Sequence, residues 1–595
     1  MGSACRALRL PLAPRAPHAP RAHLAPEIPL TTLDFSIVVA YLAVALGWGA
    51  WHARSASENT TAFFAAGRTL PWWLAGTSIV ATTFAADTPL AIAGLVATEG
   101  VAGNWFWWAD VFPVVLGTFM VSHLWRRSRV LTDNEITELR YGGRPAAGLR
   151  LFRALYFGVL RNAIVMGWVN LAMLKVLSLA LGLDDSQSGW VLAGLFVLTV
   201  GYTLLAGLLG VVLTDFLQFG LALLGSVLLA VYAVSDLGGL AELIDRVRDM
   251  TGAGEGNTLL ALVPSIGDGE AFWAFIAYVG VKSWSSGNTE GNGYVAQRIL
   301  ATRSERDARL ASLWYAIAHF ALRPWPWILV GLVALVRFPG LEDPEAGYVM
   351  VLLDVLPNGI RGMLLAAMLA AFMSTIDTQL NWGASYLTHD VYERFVNPNA
   401  SQKRLIWVAR GSVVGLAAIR VAATFGMDSV AGAWKLLATI GAGTGLIGLL
   451  RWLWWRINAW SEIAVMTASL VGANLVAVFT EIAFPFSLLV VVAFSLPVAF
   501  LVTWLTSPED PATLRAFYER VRPAGAWAPI ARACEIPLEQ IGLQPWLDVA
   551  AATFGIYAAI AGVGWLLFGE LTQGLAACGV SCGLLFYAIK GASTR

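Results

Sequence analysis

The sequence predicts an all-α polytopic membrane protein, and three observations support this class. Hydrophobic residues make up 57% of the 595 residues and charged residues only 13%, about half the charged share of an average soluble chain. The mean hydropathy is +0.66 and the chain contains 26 tryptophans, which is typical of membrane proteins with aromatic residues at both interfaces. The apolar runs are long enough for about fifteen spans of roughly 20 residues each.

Composition also excludes several classes of function. The formal net charge is zero, so no basic surface indicates nucleic-acid binding. The four cysteines, Cys5, Cys534, Cys578 and Cys582, lack the spacing of a disulfide framework or a zinc site. No nucleophile–base or metal-ligand pattern is present, so we do not expect an enzyme.

The order of apolar and polar segments predicts the domain organisation. We expect a disordered tail over residues 1–32, an extra first transmembrane helix over 33–53, five helices over 70–236, five helices over 270–456, two accessory helices over 460–505, a cytoplasmic loop with an amphipathic helix along the headgroups over 506–546, and two C-terminal helices over 547–590. Whether residues 1–30 belong to the native protein stays open.

Two predicted spans are too polar to face lipid along their whole length. The first contains TSIVATTFAADTP (77–89), and we expect its helix to break near Ala81–Asp87. The second follows Phe272–Gly280 and contains KSWSSGNTEGNGYVAQR (282–298). The two lie about five spans apart, which gives the two halves opposite orientation. Such a pair of interrupted helices in inverted halves indicates a transporter's binding site near the middle of the membrane. GAGTG (441–445) either unwinds a later helix or lets helices pack closely.

The stretch from Leu364 to Gly383 combines an apolar helix with a cluster of polar residues at membrane depth. Ala371, Ser374 and Thr375 share one helix face. One carbonyl and two hydroxyls form an all-oxygen surface, which suits a hard cation such as Na⁺. Alternatively, the two hydroxyls bond to carbonyls of their own helix.

The distribution of basic residues predicts the orientation in the membrane. The basic connections fall on one side of the predicted spans and include Arg126, Arg127, Arg303, Arg306, Lys403, Arg404, Arg451 and Arg456. Loops 95–104 and 182–189 contain no Lys or Arg, and loop 338–358 is acidic. By the positive-inside rule we expect an inner-membrane protein with its N-terminus outside and its C-terminus in the cytoplasm. The arginines of the N-terminal tail run against this pattern. The last span ends a few residues before Arg595, so no signalling module of a solute sensor is expected.

Several motifs occurring in order resemble the sodium:solute symporter family. They are FFAAGRTLPWW (63–73), GLLGVVLTDFLQF (207–219), NGYVAQRILATRSERDAR (292–309) and AAFMSTIDTQLN (370–381). The resemblance implies a leucine-transporter-like 5+5 inverted repeat, with one extra N-terminal helix and about four extra C-terminal helices. It also implies uptake of a small solute driven by co-transported sodium, in a lipid bilayer and with no obligate protein partner.

The resemblance also implies site residues. The family's sodium site falls on the carbonyls of Ala81, Phe84 and Ala371 and on the hydroxyls of Ser374 and Thr375, with Asp215 nearby. The implied substrate site comprises Thr82, Thr83, Asp87, Thr88, Trp284, Asn288, Glu290, Asn292, Lys435 and Thr439. Thr83, Asp87 and Thr88 differ from the residues of the sugar-carrying members at these positions, so the resemblance does not by itself select a sugar substrate. Sugar or polyol, amino acid or amine, monocarboxylate and nucleoside-like solutes stay open, as do stoichiometry and oligomeric state. A proton-coupled carrier that titrates Asp87 or Glu290 is the alternative.

Charged residues inside apolar spans are either structural or functional. They are Arg161, Lys175, Lys282, Arg323, Arg420 and Lys435. We expect most to be paired, with Lys282 or Arg161 neutralising Asp87, Glu290 or Asp377. If Arg161 or Lys435 faces the cavity instead, an anionic or zwitterionic solute gains a charge-assisted partner. No residue lies at a spacing from His123, His319 or His389 that would indicate a metal site or catalysis.

Overall fold

The computed structural model describes residues 30–56, 66–250, 259–285, 289–291, 293–424 and 426–594. Within these ranges the chain is almost entirely helical and forms no β-strand. It has only two isolated parallel bridges, Leu70 with Thr302 and Trp454 with Ala526. The predicted disorder of residues 1–29 and the candidate residues Asn288 and Asn292 lie outside the described residues.

Short breaks divide the helices of the first half. In chain order they are α1 Thr32–Ala56, α2 Trp72–Thr82, α3 Asp87–Glu99, α4 Trp105–Trp108, α5 Val111–Met120, α6 Ser122–Ser128, α7 Ile136–Arg140, α8 Gly143–Leu155, α9 Asn162–Leu181, α10 Asp185–Asp236 and α11 Leu240–Met250. A π-helical segment, Tyr156–Arg161, joins α8 to α9.

The second half contains the remaining helices. In chain order they are α12 Glu270–Ala277, α13 Ser283–Ser285, α14 Tyr294–Leu300, α15 Glu305–Ile317, α16 Pro324–Arg337, α17 Gly347–Val355, α18 Ile360–Ser385, α19 Gln402–Thr424, α20 Val430–Ile440, α21 Thr444–Leu453, α22 Ala459–Phe479, α23 Phe486–Leu505, α24 Pro511–Val521, α25 Ala528–Ala533, α26 Leu543–Leu567 and α27 Leu571–Thr594. Further π-helical segments are Tyr278–Lys282, Ala318–Leu322 and Tyr386–Val396.

Eight helices of the described chain are long and apolar enough to cross a membrane, or up to eleven if each of three bent pairs is one span. The other predicted spans coincide with α1, the start of α10, the segment from α12 to α14, and α19. Of these, Thr32–Val44 in α1 and Ser186–Gly201 in α10 are shorter apolar helices within the described part of the chain. The count of about fifteen spans therefore stays a prediction.

One part of the first half differs from the expected arrangement. We predicted two spans, centred near Phe196 and Leu223, but the chain forms the single 52-residue helix α10. The connecting sequence, Gly201 to Gly210, contains no proline and no charged residue. The helix thus continues through Gly201, Gly207 and Gly210, and no proline interrupts it.

The predicted break in the first polar span is confirmed. α2 ends at Thr82, α3 begins at Asp87, and their axes are bent by 59°. The hydroxyls of Thr82 and Thr83 donate to the carbonyls of Ser78 (2.9 Å) and Val80 (2.8 Å), near the end of α2. Pro89 falls in the first turn of α3, where its missing N–H removes no helical hydrogen bond.

The chain is interrupted twice more where the sequence turns polar or glycine-rich. The second polar span is helical to Ser285 and resumes at Tyr294. α20 and α21 are bent by 48°, and Gly443 between them has a φ of 88°. GAGTG therefore unwinds its helix. The left-handed conformation of Gly443 explains why glycine occurs there.

α18 is the central helix of the bundle. Nearly all its side chains are buried, as expected for a helix surrounded by others. The side chain of Asp34 accepts hydrogen bonds from the amides of Gly359 (2.7 Å) and Gly362 (2.9 Å), which docks α1 on the start of α18.

The predicted amphipathic helix of the 506–546 loop is present as α24. Leu514, Phe517, Tyr518 and Val521 on its apolar face are buried, and the ring of Phe517 lies 5.5 Å from that of Trp527. The expectation that this face lies along the lipid headgroups is wrong, because protein covers it.

Candidate functional site

A buried polar network surrounds Asp215 in the middle of the bundle. The hydroxyl of Ser374 donates to one carboxylate oxygen of Asp215, and that of Ser78 donates to the other, both at 2.5 Å. Nη2 of Arg298 lies 3.6 Å from the second oxygen. Asp215 thereby connects α2, α10, α14 and α18, and its charge is compensated where water is excluded.

Hydroxyl contacts also join the end of α2 to α18. The hydroxyl of Thr375 donates to the carbonyl of Thr82 at 3.0 Å, and the hydroxyls of Thr82 and Thr378 lie 3.3 Å apart. Nη2 of Arg298 donates to the hydroxyl of Thr378 at 2.7 Å. The broken end of α2 is thus held by the polar half of α18.

The predicted sodium ligands lie at this junction of α2 and α18. Ser374 and Thr375 are 1% and 3% exposed, and their hydroxyls donate to Asp215 and Thr82. The alternative that these hydroxyls bond to carbonyls of their own helix is therefore wrong. Both hydroxyl oxygens keep lone pairs for a cation.

The predicted carbonyl ligands are on the same two helices. Ala81 lies in the last turn of α2, and its carbonyl accepts from the amide of Phe84 at 2.9 Å. Ala371 lies one turn before Ser374 and Thr375 on α18. The ring of Phe84 packs against Trp327 with centroids 4.7 Å apart. The donor set is entirely oxygen, which suits Na⁺.

A cavity of about 270 Å³ lies beside this junction. Its polar and charged lining residues are Thr82, Thr83, Asp87, Thr88, Asp110, Arg161, Lys282, His319, Arg323, Thr375 and Gln379. Its aromatic lining residues are Phe106, Trp107, Trp168, Tyr294, Trp382 and Trp434. Thr82 and Thr375 belong both to the cavity wall and to the α2–α18 junction, so the proposed ion site and the cavity share a boundary.

Comparison with known proteins was made with this geometry in hand. The model of the sodium:solute symporter family matches residues 63–472. The chain belongs to this family. Sodium is accordingly the co-transported ion, and the chain is a multi-pass membrane protein of a cotransporter family rather than of an enzyme family.

The relatives of this symporter include proteins named as sodium/glucose cotransporters. It is 25% identical over 421 residues to a sodium/glucose cotransporter of Vibrio parahaemolyticus, covering 65% of this chain and 74% of that protein. It is 26% identical over 431 residues to sodium/glucose cotransporter 1 of Sus scrofa, covering 65% of this chain and 62% of that protein. For several relatives, the match covers less than two thirds of the relative's own length.

A solved structure shows the fold of the symporter. A Na⁺-coupled sialic acid symporter in a substrate-bound outward-open state aligns with a TM-score of 0.63 at 20% identity. The alignment covers 81% of this chain and 99% of that one. The predicted leucine-transporter-like fold class is thereby confirmed, while the number of helices in each repeat stays a prediction.

Four of the predicted substrate residues line the cavity of the symporter: Thr82, Thr83, Asp87 and Thr88. All four come from the break between α2 and α3, so the broken helix supplies one wall. The hydroxyl of Thr88 donates to the carboxylate of Asp87 at 3.3 Å. Their role in solute binding stays a prediction.

The other described candidates lie outside the cavity wall. Trp284 donates its indole N–H to the carbonyl of Gly280 in its own helix. Glu290 pairs with Arg451 and lines an adjoining cavity of about 190 Å³, which shares Thr83 and His319 with the first. Lys435 lies 3.3 Å from Glu99, and the hydroxyl of Thr439 donates to the carbonyl of Lys435 at 2.9 Å.

The partners that we predicted for the intramembrane cations are wrong. Lys282 pairs with Asp110 at 2.7 Å, not with Asp87, Glu290 or Asp377. Within the described residues Arg161 forms no ion pair, and its guanidinium lies 5.7 Å from the ring of Phe157. His319, for which sequence spacing indicated no partner, has two polar neighbours in the fold. Its Nδ1 lies 3.1 Å from the hydroxyl of Thr83 and accepts from Arg323 at 2.5 Å.

Three cavity residues missing from the predicted substrate site come from π-helical segments. Arg161 ends Tyr156–Arg161, Lys282 ends Tyr278–Lys282, and His319 belongs to Ala318–Leu322. Short π-helical segments occur often at functional sites. The sequence signal available for Arg161 and Lys282 was their position as charges inside apolar spans.

Proposed function

We propose that this symporter imports a small polar solute together with Na⁺ by alternating access. The solute would bind in the cavity beside the α2–α3 break. In support, the cavity is polar on the side of Thr82, Thr83 and Thr88 and aromatic on the side of Trp168 and Trp434. A few polar groups in a mostly apolar concave site are typical of small-molecule recognition.

Na⁺ would bind between the carbonyls of Ala81, Phe84 and Ala371 and the hydroxyls of Ser374 and Thr375. The observation that carries this proposal is the buried contact of Ser374 with Asp215 and of Thr375 with the carbonyl of Thr82. Asp215 would lower the free energy of a nearby cation through its negative charge. Helix ends at a break also present carbonyl oxygens to cations in transporters of this architecture.

Coupling would follow from the shared boundary between the two sites. A cation that bridges α2 and α18 would stabilise the position of Thr82 and of the break, and so the wall of the solute cavity. Because binding linkage is reciprocal, solute would raise Na⁺ affinity by the same factor. Release of Na⁺ into the cytoplasm, where sodium is scarce, would then weaken solute binding.

The test uses purified protein in detergent and measures its melting temperature against sodium concentration, with choline replacing sodium. Wild type should be stabilised by Na⁺, since a ligand that binds only the folded state raises stability by mass action. Ser374→Ala and Thr375→Ala should each weaken Na⁺ affinity by at least about tenfold, because a hydrogen-bonding group that serves a charge contributes about 1.5–3 kcal/mol.

Ser581→Ala is the matched control. Its buried hydroxyl donates to the carbonyl of Gly555 at 2.8 Å between α26 and α27, so the same change is made far from the proposed site. A normal sodium response in both Ser374→Ala and Thr375→Ala would remove the ion-site assignment.

Proton coupling through Asp87 is the second candidate, favoured by the position of this carboxylate on the cavity wall. Glu290, the other carboxylate of this alternative, forms an ion pair with Arg451. A wild-type protein with no sodium-dependent stabilisation, whose melting temperature changes with pH only when Asp87 is present, would support this alternative. The matched variant is Asp87→Asn.

A further inference from the structure

The central cavity contains a cation with no carboxylate partner. Arg161 lines the cavity, and within the described part of the chain it forms no ion pair. The titratable groups that interact electrostatically with it are the tyrosines Tyr156, Tyr294 and Tyr386. An arginine is always charged in proteins. A positive charge inside the helix bundle is unfavourable without a counter-charge, and within the described residues no carboxylate of the cavity wall forms an ion pair with Arg161.

The other charges of the cavity wall balance one another. Asp110 and Lys282 form an ion pair at 2.7 Å. Asp87 and Arg323 are the other two opposite charges of the wall, and Arg323 donates to the carbonyl of Val80 at 3.0 Å. His319 accepts a hydrogen bond from Arg323 at Nδ1, which requires a neutral imidazole because a guanidinium only donates. One positive charge, that of Arg161, is left over.

Local structure holds Arg161 toward the cavity. It ends the π-helical segment Tyr156–Arg161, and its guanidinium lies 5.7 Å from the ring of Phe157 in the same segment. Aromatic faces orient a guanidinium without consuming its hydrogen-bond donors. The five donors of the group are thus available to a ligand, and their planar fork matches a carboxylate.

The rest of this side of the cavity is aromatic. The rings of Phe106 and Trp434 are stacked, with centroids 6.1 Å apart and an interplanar angle of 10°. The ring of Trp168 meets that of Trp434 edge-on at 6.4 Å. These rings offer flat apolar surfaces within a cavity of about 270 Å³, and they suit the body of a small molecule rather than a second charged group.

We propose that the transported solute is an organic monocarboxylate, with its carboxylate on Arg161 and its apolar body against Phe106, Trp168 and Trp434. This inference depends on the proposed function, because it assumes that the cavity is the solute site. Of the solute classes that the sequence leaves open, this inference selects monocarboxylates. The basis is the positive charge of Arg161, not the recognition of solute hydroxyls.

The test compares carboxylates with their uncharged amides on the full-length protein. Benzoate, phenylacetate and 3-phenylpropionate, and the three corresponding amides, are added separately to protein in sodium chloride and in choline chloride. At least one carboxylate should raise the melting temperature in sodium chloride, and its amide should not. Arg161→Gln should weaken that carboxylate by about tenfold to hundredfold, and Arg161→Lys should weaken it less because the charge is kept.

Arg246→Gln is the matched control, because it makes the same substitution at an arginine that pairs with Glu242 at 2.8 Å outside the cavity wall. It should leave the carboxylate response unchanged. Retention of the sodium response by Arg161→Gln shows that this variant is folded. The inference is overturned if no carboxylate stabilises the protein, if the amides act equally, or if Arg161→Gln binds like wild type. Failure of the proposed function has a different signature, namely a wild-type protein that does not respond to sodium at all.

Discussion

At the scale of single residues, Glu462 shows how this membrane protein accommodates buried charge. The carboxylate accepts from the hydroxyl of Tyr141 at 2.5 Å, from Nη1 of Arg153 at 2.8 Å and from Nη1 of Arg451 at 3.2 Å. Glu462 is 3% exposed. Glu462 in α22 thereby accepts hydrogen bonds from both halves of the core. These bonds connect the accessory helices to the core.

Replacing Glu462 with glutamine should destabilise the protein strongly. The variant keeps the shape of the side chain but leaves Arg153 without a carboxylate, and breaking a buried ion pair in this way costs about 3–5 kcal/mol. The melting temperature in detergent measures the effect. Glu242→Gln is the control: its pair with Arg246 is about half exposed, so the change should be within about 1 kcal/mol. Equal melting temperatures for the two variants would show that the buried network does not contribute.

At the scale of elements, the break between α20 and α21 depends on one backbone conformation. Gly443 has a φ of 88°, and a Cβ built there would lie 2.5 Å from the hydroxyl of Ser495 in α23. The amide of Gly443 also donates to the carbonyl of Ser285 at 2.9 Å. The break therefore joins three elements, and Gly441 beside it lines the cavity.

Gly443→Ala should lower the melting temperature, because an L-residue in the left-handed region costs about 1–2 kcal/mol and the new methyl group would overlap Ser495. Gly579→Ala in α27 is the control, since nothing lies within 4 Å of a Cβ at that position. Alanine favours a helix interior over glycine by roughly 1 kcal/mol, so this variant should be neutral or more stable. A Gly443→Ala protein as stable as wild type would contradict the strained-turn interpretation.

At the scale of the whole molecule, basic and acidic connections gather in separate places. Arg126, Arg127, Arg129, Arg303 and Arg520 surround one cavity of about 550 Å³. Elsewhere, the acidic 338–358 loop supplies Asp343 and Glu345, which pair with Lys175 at 2.7 Å and 2.6 Å. By the positive-inside rule, we expect the arginine-rich connections to face the cytoplasm.

This separation predicts the orientation of the chain. Green fluorescent protein fused after Arg595 should fluoresce, because the C-terminus is expected in the cytoplasm. Alkaline phosphatase fused at Glu342 should be active, because that loop is expected outside. Each reporter is also placed at the other position, where it should be silent. Exchange of the two patterns would show that the predicted orientation is inverted.

Much of the architecture follows from local sequence chemistry. An otherwise apolar span with polar residues such as Thr82, Thr83 and Asp87 has to turn them inward, so the break near Ala81–Asp87 could be predicted from the sequence. The polar patch at Ser374 and Thr375 of α18 follows from the same argument. In each case the free energy of polar groups in hydrocarbon selects the inner face, and this depends only on which residues are neighbours along the helix.

The partners of the charged residues depend on packing between distant segments. Lys282 meets Asp110 across 172 positions of sequence, Glu290 meets Arg451 across 161, and Lys435 meets Glu99 across 336. No periodicity encodes such pairs, because several carboxylates are available to each cation until the helices pack. Within the described residues Arg161 lines the cavity and forms no ion pair, and only the folded arrangement of the helices reveals this.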